Sequence, residues 1–151
     1  MIIQAMPGDF DRVRDITIKT IRNIYPKYYP KGAVDYFCFY HSDDNIIKDI
    51  KNGYVYLSKI GNDYVGTITV KNNHVYRLFI LPAFQHMGHG RALMDFAEDK
   101  IFQTFNTVKL DASFPAKHIY LKRGYKETGY YVVDTPNGDK LCYDTMEKES
   151  K

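Results

Sequence analysis

The sequence has only two cysteines and no long apolar run, and both scarcities exclude classes of protein. Cys38 and Cys142 stand apart among apolar and aromatic neighbours, so neither a disulfide framework nor a cysteine-built metal cage is predicted. No window approaches the ~20 apolar residues that a membrane-spanning helix needs, and the chain does not open on a basic segment followed by an apolar stretch. We therefore expect a cytoplasmic protein in a reducing compartment, with no membrane partner.

A strong excess of one charge is also lacking. The 21 basic and 18 acidic residues give a net charge of +3 and are spread along the chain. Because proteins that bind nucleic acid concentrate basic residues on one face, we expect no nucleic-acid partner. Tryptophan is absent, but 14 tyrosines and nine phenylalanines make the chain rich in aromatic side chains. The length and the apolar fraction of 44% suit one compact domain over residues 1–151.

The first third of the sequence indicates helices. After a short strand over residues 2–6, Asp9 is in the position of an N-cap, and the apolar residues that follow recur with helical spacing. Two prolines and a glycine in residues 25–32 predict an irregular aromatic loop. Residues 33–39 and 45–50 then suit two short helices.

The rest of the chain alternates between strands and helices. Residues 54–81 predict three consecutive antiparallel strands, and Pro82 ends the third because it has no N–H for the ladder. A helix is predicted over residues 88–102, and residues 107–146 predict a strand, a short helix and two further strands. This order predicts an α+β (mixed α/β) fold with a single central, mostly antiparallel sheet of about six to seven strands flanked by helices.

Residues 85–91 lie between a predicted strand and a predicted helix and contain Gly88 and Gly90. Glycine allows a positive φ there and the close approach of another molecule to the backbone. The first N–H groups of the following helix have no acceptor within it and lie at the positive end of its dipole. The segment therefore predicts an anion site suited to a diphosphate, to which Arg91 adds positive charge.

Two common nucleotide-binding loops do not fit this segment. A Walker A loop ends in Gly-Lys-Ser/Thr, and the dinucleotide fingerprint needs a third glycine where Leu93 stands. What fits is Gln-x-x-Gly-x-Gly-Arg-Ala, preceded by a strand that ends Ile80-Leu81-Pro82. This pattern resembles the acetyl-CoA loop of the GNAT superfamily of N-acetyltransferases.

A second segment, residues 113–125, is similar to the GNAT motif Asn-x-x-Ala-x-x-x-Tyr-x-x-x-Gly-Phe, with Ser113 in place of the asparagine. With the order of elements, the resemblance extends over residues 54–133, and the first fifty residues match only as a helical region on the substrate side. The resemblance implies a GNAT-like fold and acetyl-CoA as the acyl donor.

The resemblance also implies which residues form the site. In GNAT enzymes the strand before the loop splays from its neighbour, so that its main chain pairs with the pantetheine arm and one N–H faces the thioester oxygen. The residues of this sequence that would contact the cofactor are Leu78, Phe79, Ile80, Gln85, His86, Met87, Gly88, His89, Gly90, Arg91, Ser113 and Tyr120.

Tyr120 occupies the general-acid position of the family and is the predicted catalytic residue. A phenol with a free pKa near ~10 matches a thiolate leaving group of similar basicity without prior tuning. Two alternatives stay open, a core aromatic residue and a residue that only holds the cofactor sulfur. The base is open as well, because residues 74–77 contain no carboxylate, and the candidates are His74, Asp111 and water.

The remaining polar residues add two hypotheses. His86 and His89 are three residues apart, but no nearby acid or cysteine completes a ligand set, so no metal is predicted. The aromatic residues of the N-terminal region suggest an aromatic-walled acceptor pocket, because this region covers the acceptor side in GNAT enzymes. Asp43 and Asp44 are candidates to attract a cationic amine, with helix capping as the alternative.

We favour an N-acetyltransferase that moves an acetyl group from acetyl-CoA to a primary amine of a small molecule or peptide. The sequence has no well-placed Cys or Ser nucleophile, so direct attack in a ternary complex is expected. The alternatives are a non-catalytic acyl-CoA-binding or sensing module and a small phosphate-binding domain of another class. Tyr130, Tyr131 and Tyr143 near exposed sheet edges would support a homodimer.

Overall fold

A computed structural model describes all 151 residues and contains one seven-stranded sheet with helices on both faces. The strands are β1 (Ile2–Gln4), β2 (Val55–Ile60), β3 (Asp63–Lys71), β4 (His74–Ile80), β5 (Thr107–Ala112), β6 (Lys126–Asp134) and β7 (Lys140–Glu149). The helices are α1 (Phe10–Ile24), α2 (Lys31–Tyr40), α3 (Asp43–Lys51), α4 (His89–Phe102) and α5 (Phe114–Lys122). None of these helices is both long and apolar enough to cross a membrane.

The order of strands in the sheet is β1-β2-β3-β4-β5-β7-β6. Every neighbouring pair is antiparallel except β4 and β5, which run parallel because α4 carries the chain back between them. The predicted α+β fold with six to seven mostly antiparallel strands is confirmed.

Two apolar cores form because alternate residues of each strand point to opposite faces of the sheet. The first core packs α1, α2 and α3 against one face and includes the fully buried Val13, Ile46 and Leu57. The second core packs α4 and Tyr120 of α5 against the other face, with Leu93 fully buried. The two faces are called the α1–α3 face and the α4 face below.

Asp9 is the N-cap of α1, as predicted, but its side chain makes no capping hydrogen bond, because its carboxylate accepts the N–H of Met6 at 2.9 Å across a 3₁₀ turn at Pro7–Asp9. Other boundaries differ from the predicted ones. The irregular loop is shorter than predicted, since a second 3₁₀ turn covers Tyr25–Lys27 and α2 already begins at Lys31.

At the C-terminus, β7 continues to Glu149 rather than ending at residue 146. Its last residues pair with the start of β5, where Thr107 is opposite Glu149. Pairing with β5 therefore extends β7 beyond the range that the alternation of its own residues predicts.

Strand β4 contains a bulge that changes which face its side chains meet. Thr67 of β3 pairs with Phe79 and Thr69 pairs with Tyr76, so β4 has one extra residue between these pairs. The bulge includes Arg77, whose φ of +52° is unusual for a residue other than glycine. Strict alternation from Val75 would put Arg77 on the α4 face. Because of the bulge, its side chain is instead buried on the α1–α3 face.

The guanidinium of Arg77 is held by three side chains. It donates to Asp49 at 2.5 Å, to the hydroxyl of Thr69 at 3.1 Å and to Nδ1 of His41 at 3.3 Å. Lys71 also pairs with Asp49, at 2.7 Å. Burial, followed by the charge of Arg77, lowers the pKa of His41 to about 3, so its ring stays a neutral acceptor near neutral pH. This network fixes the bulge to α3.

Candidate active site

The two parallel strands in the middle of the sheet diverge after two residue pairs. His74 pairs with Lys109 and Val75 with Leu110, and no further pair joins β4 to β5. Strand β5 continues beside β7 to its last residue, and β4 continues beside β3 to Ile80. Beyond Val75, therefore, the edge of β4 that faces β5 has no partner strand, and an extended ligand can pair with such an edge.

The loop that follows β4 exposes main-chain N–H groups at the open end of this cleft. His86 and Gly88 both have positive φ, at +62° and +87°, and Gly88 is the N-cap of α4. The N–H groups of the first turn of α4 have no acceptor within the helix. The side-chain amide of Gln85 donates to the carbonyl oxygen of Ile80 at 3.0 Å and so holds the loop against the end of β4.

Nothing within the protein requires glycine at position 90. A Cβ atom there would meet only Ile80, at an ordinary contact distance of 3.7 Å, and the φ of Gly90 is not positive. At Gly88 a Cβ would meet no atom within 4 Å. The open space in front of both glycines fits the approach of an anionic ligand to the backbone, as a diphosphate on a helix N-terminus requires.

The other predicted cofactor contacts lie around this cleft. Leu78 and Ile80 pack on the α4 face, whereas the side chain of Phe79 is buried in the first core, which leaves its main chain for any contact. Met87 is exposed in the loop, and Ser113 is the N-cap of α5 at the end of β5. No three His, Cys, Asp or Glu side chains of the chain converge as a metal site would need.

Tyr120 is buried beside the cleft, with 7% of its surface exposed, and its ring lies 5.7 Å from that of Tyr125. Burial raises the pKa of the Tyr120 phenol, with a further contribution from nearby Tyr25, while Arg123 lowers it. In its buried position this phenol is therefore a weaker acid than the free phenol with which the sequence-based prediction compared it. It remains protonated near neutral pH and can act as a hydrogen-bond donor.

Tyr25 and Tyr29, two of the N-terminal aromatic residues for which an acceptor pocket was predicted, also reach this region. The hydroxyl of Tyr29 accepts the N–H of Phe114 at 2.8 Å and donates to the carbonyl of Cys142 at 3.4 Å. Tyr25 is buried, which raises its pKa to about 12, and its hydroxyl lies close to the side chain of Ser113. Neither contact with the start of α5 was predicted from the sequence.

The structure brings the two base candidates together on the α1–α3 face. Nε2 of His74 lies 3.9 Å from a carboxylate oxygen of Asp111, and the His74 ring stacks on Tyr76 at 4.1 Å. Nε2 is buried and has no hydrogen-bond partner within the protein. Burial lowers the pKa of His74 and raises that of Asp111, while each charge opposes the shift of the other.

Asp43 is less suited to a site, because its carboxylate pairs with Arg14 at 3.1 Å and it lies with Asp44 in the first turn of α3. Acidic side chains in this position stabilise the positive end of a helix dipole. The structure therefore favours a solvated pair in the first turn of α3, although the N-cap position itself is Ser42 and no side chain makes a capping hydrogen bond.

A pair of splayed parallel strands followed by an anion-binding helix N-terminus defines a class of acyl-CoA-dependent acyltransferases that the sequence motifs already resemble. The family described as "Acetyltransferase (GNAT) domain" matches residues 25–149, and the chain therefore belongs to the GNAT acetyltransferase family. Among curated protein sequences, none matches this chain significantly.

Solved structures with low sequence identity share the fold. A GCN5-related N-acetyltransferase from Rhodopseudomonas palustris has a TM-score of 0.90 at 20% identity, over 99% of this chain and 95% of that one. The PaiA N-acetyltransferase from Thermoplasma acidophilum, in complex with coenzyme A, has a TM-score of 0.75 at 18% identity, over 99% and 98%. A ribosomal-protein-alanine N-acetyltransferase from Brucella melitensis has a TM-score of 0.69 at 13% identity, over 99% of each chain.

The Gly88→Ala variant should bind coenzyme A at least about tenfold more weakly than the unchanged protein. A Cβ atom at a φ of +87° introduces strain of about 1–2 kcal/mol and shifts the first N–H groups of α4. Isothermal titration calorimetry with coenzyme A measures the effect. Gly138→Ala is the matched control, since Gly138 has a φ of +86° and equally open surroundings in the β6–β7 turn. Equal affinities of the two variants for coenzyme A would contradict an anion site at Gly88.

Proposed function

We propose that this protein is an N-acetyltransferase, a single domain over residues 1–151, that transfers the acetyl group of acetyl-CoA directly to a primary amine. The observation that carries the proposal is the unpaired edge of β4, which leads straight into the loop at the N-terminus of α4. Main-chain groups of Leu78, Phe79 and Ile80 can pair with an extended pantetheine arm along this edge. Acetyl-CoA, when bound, supplies the acetyl thioester that an amine can attack.

The diphosphate would be held by the loop and the first turn of α4. Main-chain N–H groups provide an anion site that needs no positive side chain, and the exposed Arg91 adds one charge. The loop residues that contribute are Gln85, His86, Met87, Gly88, His89, Gly90 and Arg91. Ser113 and Tyr120 close the cleft on the side of β5 and α5.

Direct transfer is supported by the lack of a suitable thiol at the cleft. Burial raises the pKa of the Cys38 thiol, which disfavours the reactive thiolate. Cys142, the other cysteine, lies half-buried in β7. We therefore assign attack to the acceptor amine itself, and the proton for the leaving sulfur to the hydroxyl of Tyr120.

A thermal-shift experiment tests the donor. Acetyl-CoA and coenzyme A at 100 times their Kd should each stabilise the folded protein by about 2.7 kcal/mol, because a ligand that binds only the folded state shifts the unfolding equilibrium. ATP at the same concentration should leave the Tm unchanged. Stabilisation by ATP but not by coenzyme A would refute the proposal.

Release of free thiol from acetyl-CoA, measured over a panel of primary amines, then tests the reaction. An amine-dependent rate identifies an enzyme. Binding of acetyl-CoA with no thiol release for any amine would instead favour the sensing module.

A further inference from the structure

We propose that the acceptor is a small organic ammonium ion with an apolar body and no carboxylate, bound between Tyr40, Tyr76 and Tyr143 beside Asp111 and deprotonated by His74. This inference rests on the proposed acetyl transfer and specifies its second substrate.

Strand register puts the proposed residues on one face of the sheet. Leu110 and Val75 point into the core under α4. Because side chains alternate along a strand, Asp111 and both His74 and Tyr76 point to the α1–α3 face. Asp111 is opposite Thr145 in β7, and Tyr143, two residues away, points to the same face. The cleft between the diverging strands thus has polar and aromatic walls on the face opposite the α4 side.

Three tyrosines from three different elements lie near Asp111. Burial raises the pKa of Tyr40 in α2, Tyr76 in β4 and Tyr143 in β7, and the negative charge of Asp111 raises each of them further. Tyr143 stacks on Tyr131 at 5.5 Å, so its ring is held in place. Aromatic rings close to a carboxylate favour the binding of organic cations.

Asp111 is the acid of this region that lacks a lysine or arginine partner. Asp49 pairs with Arg77 and Lys71, and Glu147 pairs with Lys109 at 3.6 Å. The ion pair that Asp111 makes is with Nε2 of His74 at 3.9 Å, and burial lowers the pKa of that ring, which favours its neutral form. Such a site attracts an ammonium ion and repels an amine that also carries a carboxylate.

His74 can take the proton that the ammonium must lose before it attacks. The buried Nε2 has no partner within the protein and lies 3.9 Å from Asp111, which would stabilise the imidazolium that forms. The charged groups that face this ring are Asp111, Lys109 and Lys71. In this step an N–H bond of the ammonium breaks, its electron pair stays on nitrogen, and an Nε2–H bond forms.

Over the whole transfer the nitrogen loses two protons. His74 passes the first to solvent. Tyr120 gives its proton to the leaving sulfur, and the second proton of the nitrogen restores the Tyr120 phenol. No oxidant or further reactant is needed for this sequence of steps.

Calorimetry on the protein saturated with coenzyme A tests the acceptor class without turnover. The probes share one apolar body: 2-phenylethylamine is the cation, 2-phenylethanol is neutral, and phenylalanine adds a carboxylate. We expect 2-phenylethylamine to bind at least about tenfold more tightly than either of the other two. Asp111→Asn should remove this preference and leave the affinity for coenzyme A unchanged. Asp99→Asn, on the exposed surface of α4, is the matched control and should behave like the unchanged protein.

Steady-state kinetics separate the role of His74 as the base from the role of Asp111 in binding the amine. His74→Gln should keep the preference for 2-phenylethylamine in binding but lower kcat by at least about 10²-fold, as loss of a general base does. Asp111→Asn should mainly raise KM for the amine. Equal binding of phenylalanine and 2-phenylethylamine would overturn the acceptor class, and an unchanged kcat in His74→Gln would overturn the base. Failure of coenzyme A itself to bind would refute the proposed function, and with it this inference.

Discussion

The Tyr120→Phe variant should lose at least about 10²-fold in kcat for acetyl transfer while its affinity for coenzyme A stays within about twofold of that of the unchanged protein. The substitution removes only a hydroxyl group. That group is buried near Tyr25 and its pKa is raised, so its loss removes a protonated donor without changing the shape of the site. Steady-state thiol release and calorimetry with coenzyme A measure the two quantities separately.

Tyr125→Phe is the matched control for this prediction. Its ring lies 5.7 Å from that of Tyr120, but its hydroxyl donates to Glu98 at 3.0 Å on the surface of the second core. Loss of that hydrogen bond should lower the free energy of unfolding by about 1 kcal/mol and leave kcat within about twofold. An unchanged kcat in Tyr120→Phe would remove Tyr120 as the acid and favour a role in holding the cofactor sulfur.

The Asp49→Ala variant should lose about 3–5 kcal/mol of its free energy of unfolding, the largest effect that we expect on stability. The side chains of Asp49 and Arg77 are only 3% and 5% exposed, and Lys71 depends on the same carboxylate. Removing it leaves a buried guanidinium without a counter-charge. Chemical denaturation followed by circular dichroism measures the change.

Loss of the Asp49 carboxylate should also disturb the cleft, because Arg77 lies in the bulge of β4 and the unpaired edge of β4 begins next to it. We expect the KM for acetyl-CoA to rise in Asp49→Ala at temperatures where the variant is still folded. The double variant Asp49→Ala, Arg77→Met should recover part of the lost stability, since no buried charge then remains.

Asp35→Ala provides a comparison at an exposed ion pair. Asp35 accepts from Arg22 at 2.7 Å and from Lys31 at 2.9 Å, but all three side chains are largely exposed. Solvent screening leaves such pairs with only a small contribution to stability. If Asp49→Ala were no more costly than Asp35→Ala, the network around Arg77 would not be what holds the bulge.

Much of the fold follows from local patterns in the sequence. The alternation in residues 54–81 and the helical spacing after Gly88 are strong because each strand and each helix must bury one side. Boundaries were predicted less well where distant contacts decide them. Strand β7 extends to Glu149 because β5 lies beside it, and the Asp9 carboxylate is used by the N–H of Met6 rather than by α1.

The sequence by itself determined the loop at Gly88 and Gly90, because a left-handed glycine and the free N–H groups of a helix N-terminus are properties of a few consecutive residues. Only the tertiary structure decided the chemistry around that loop. The bulge at Arg77 depends on a salt bridge to α3, and the approach of His74 to Asp111 depends on two strands that α4 separates in sequence. Such contacts form between segments whose register and face are set by their neighbours in the sheet, and no short pattern in either segment contains that information.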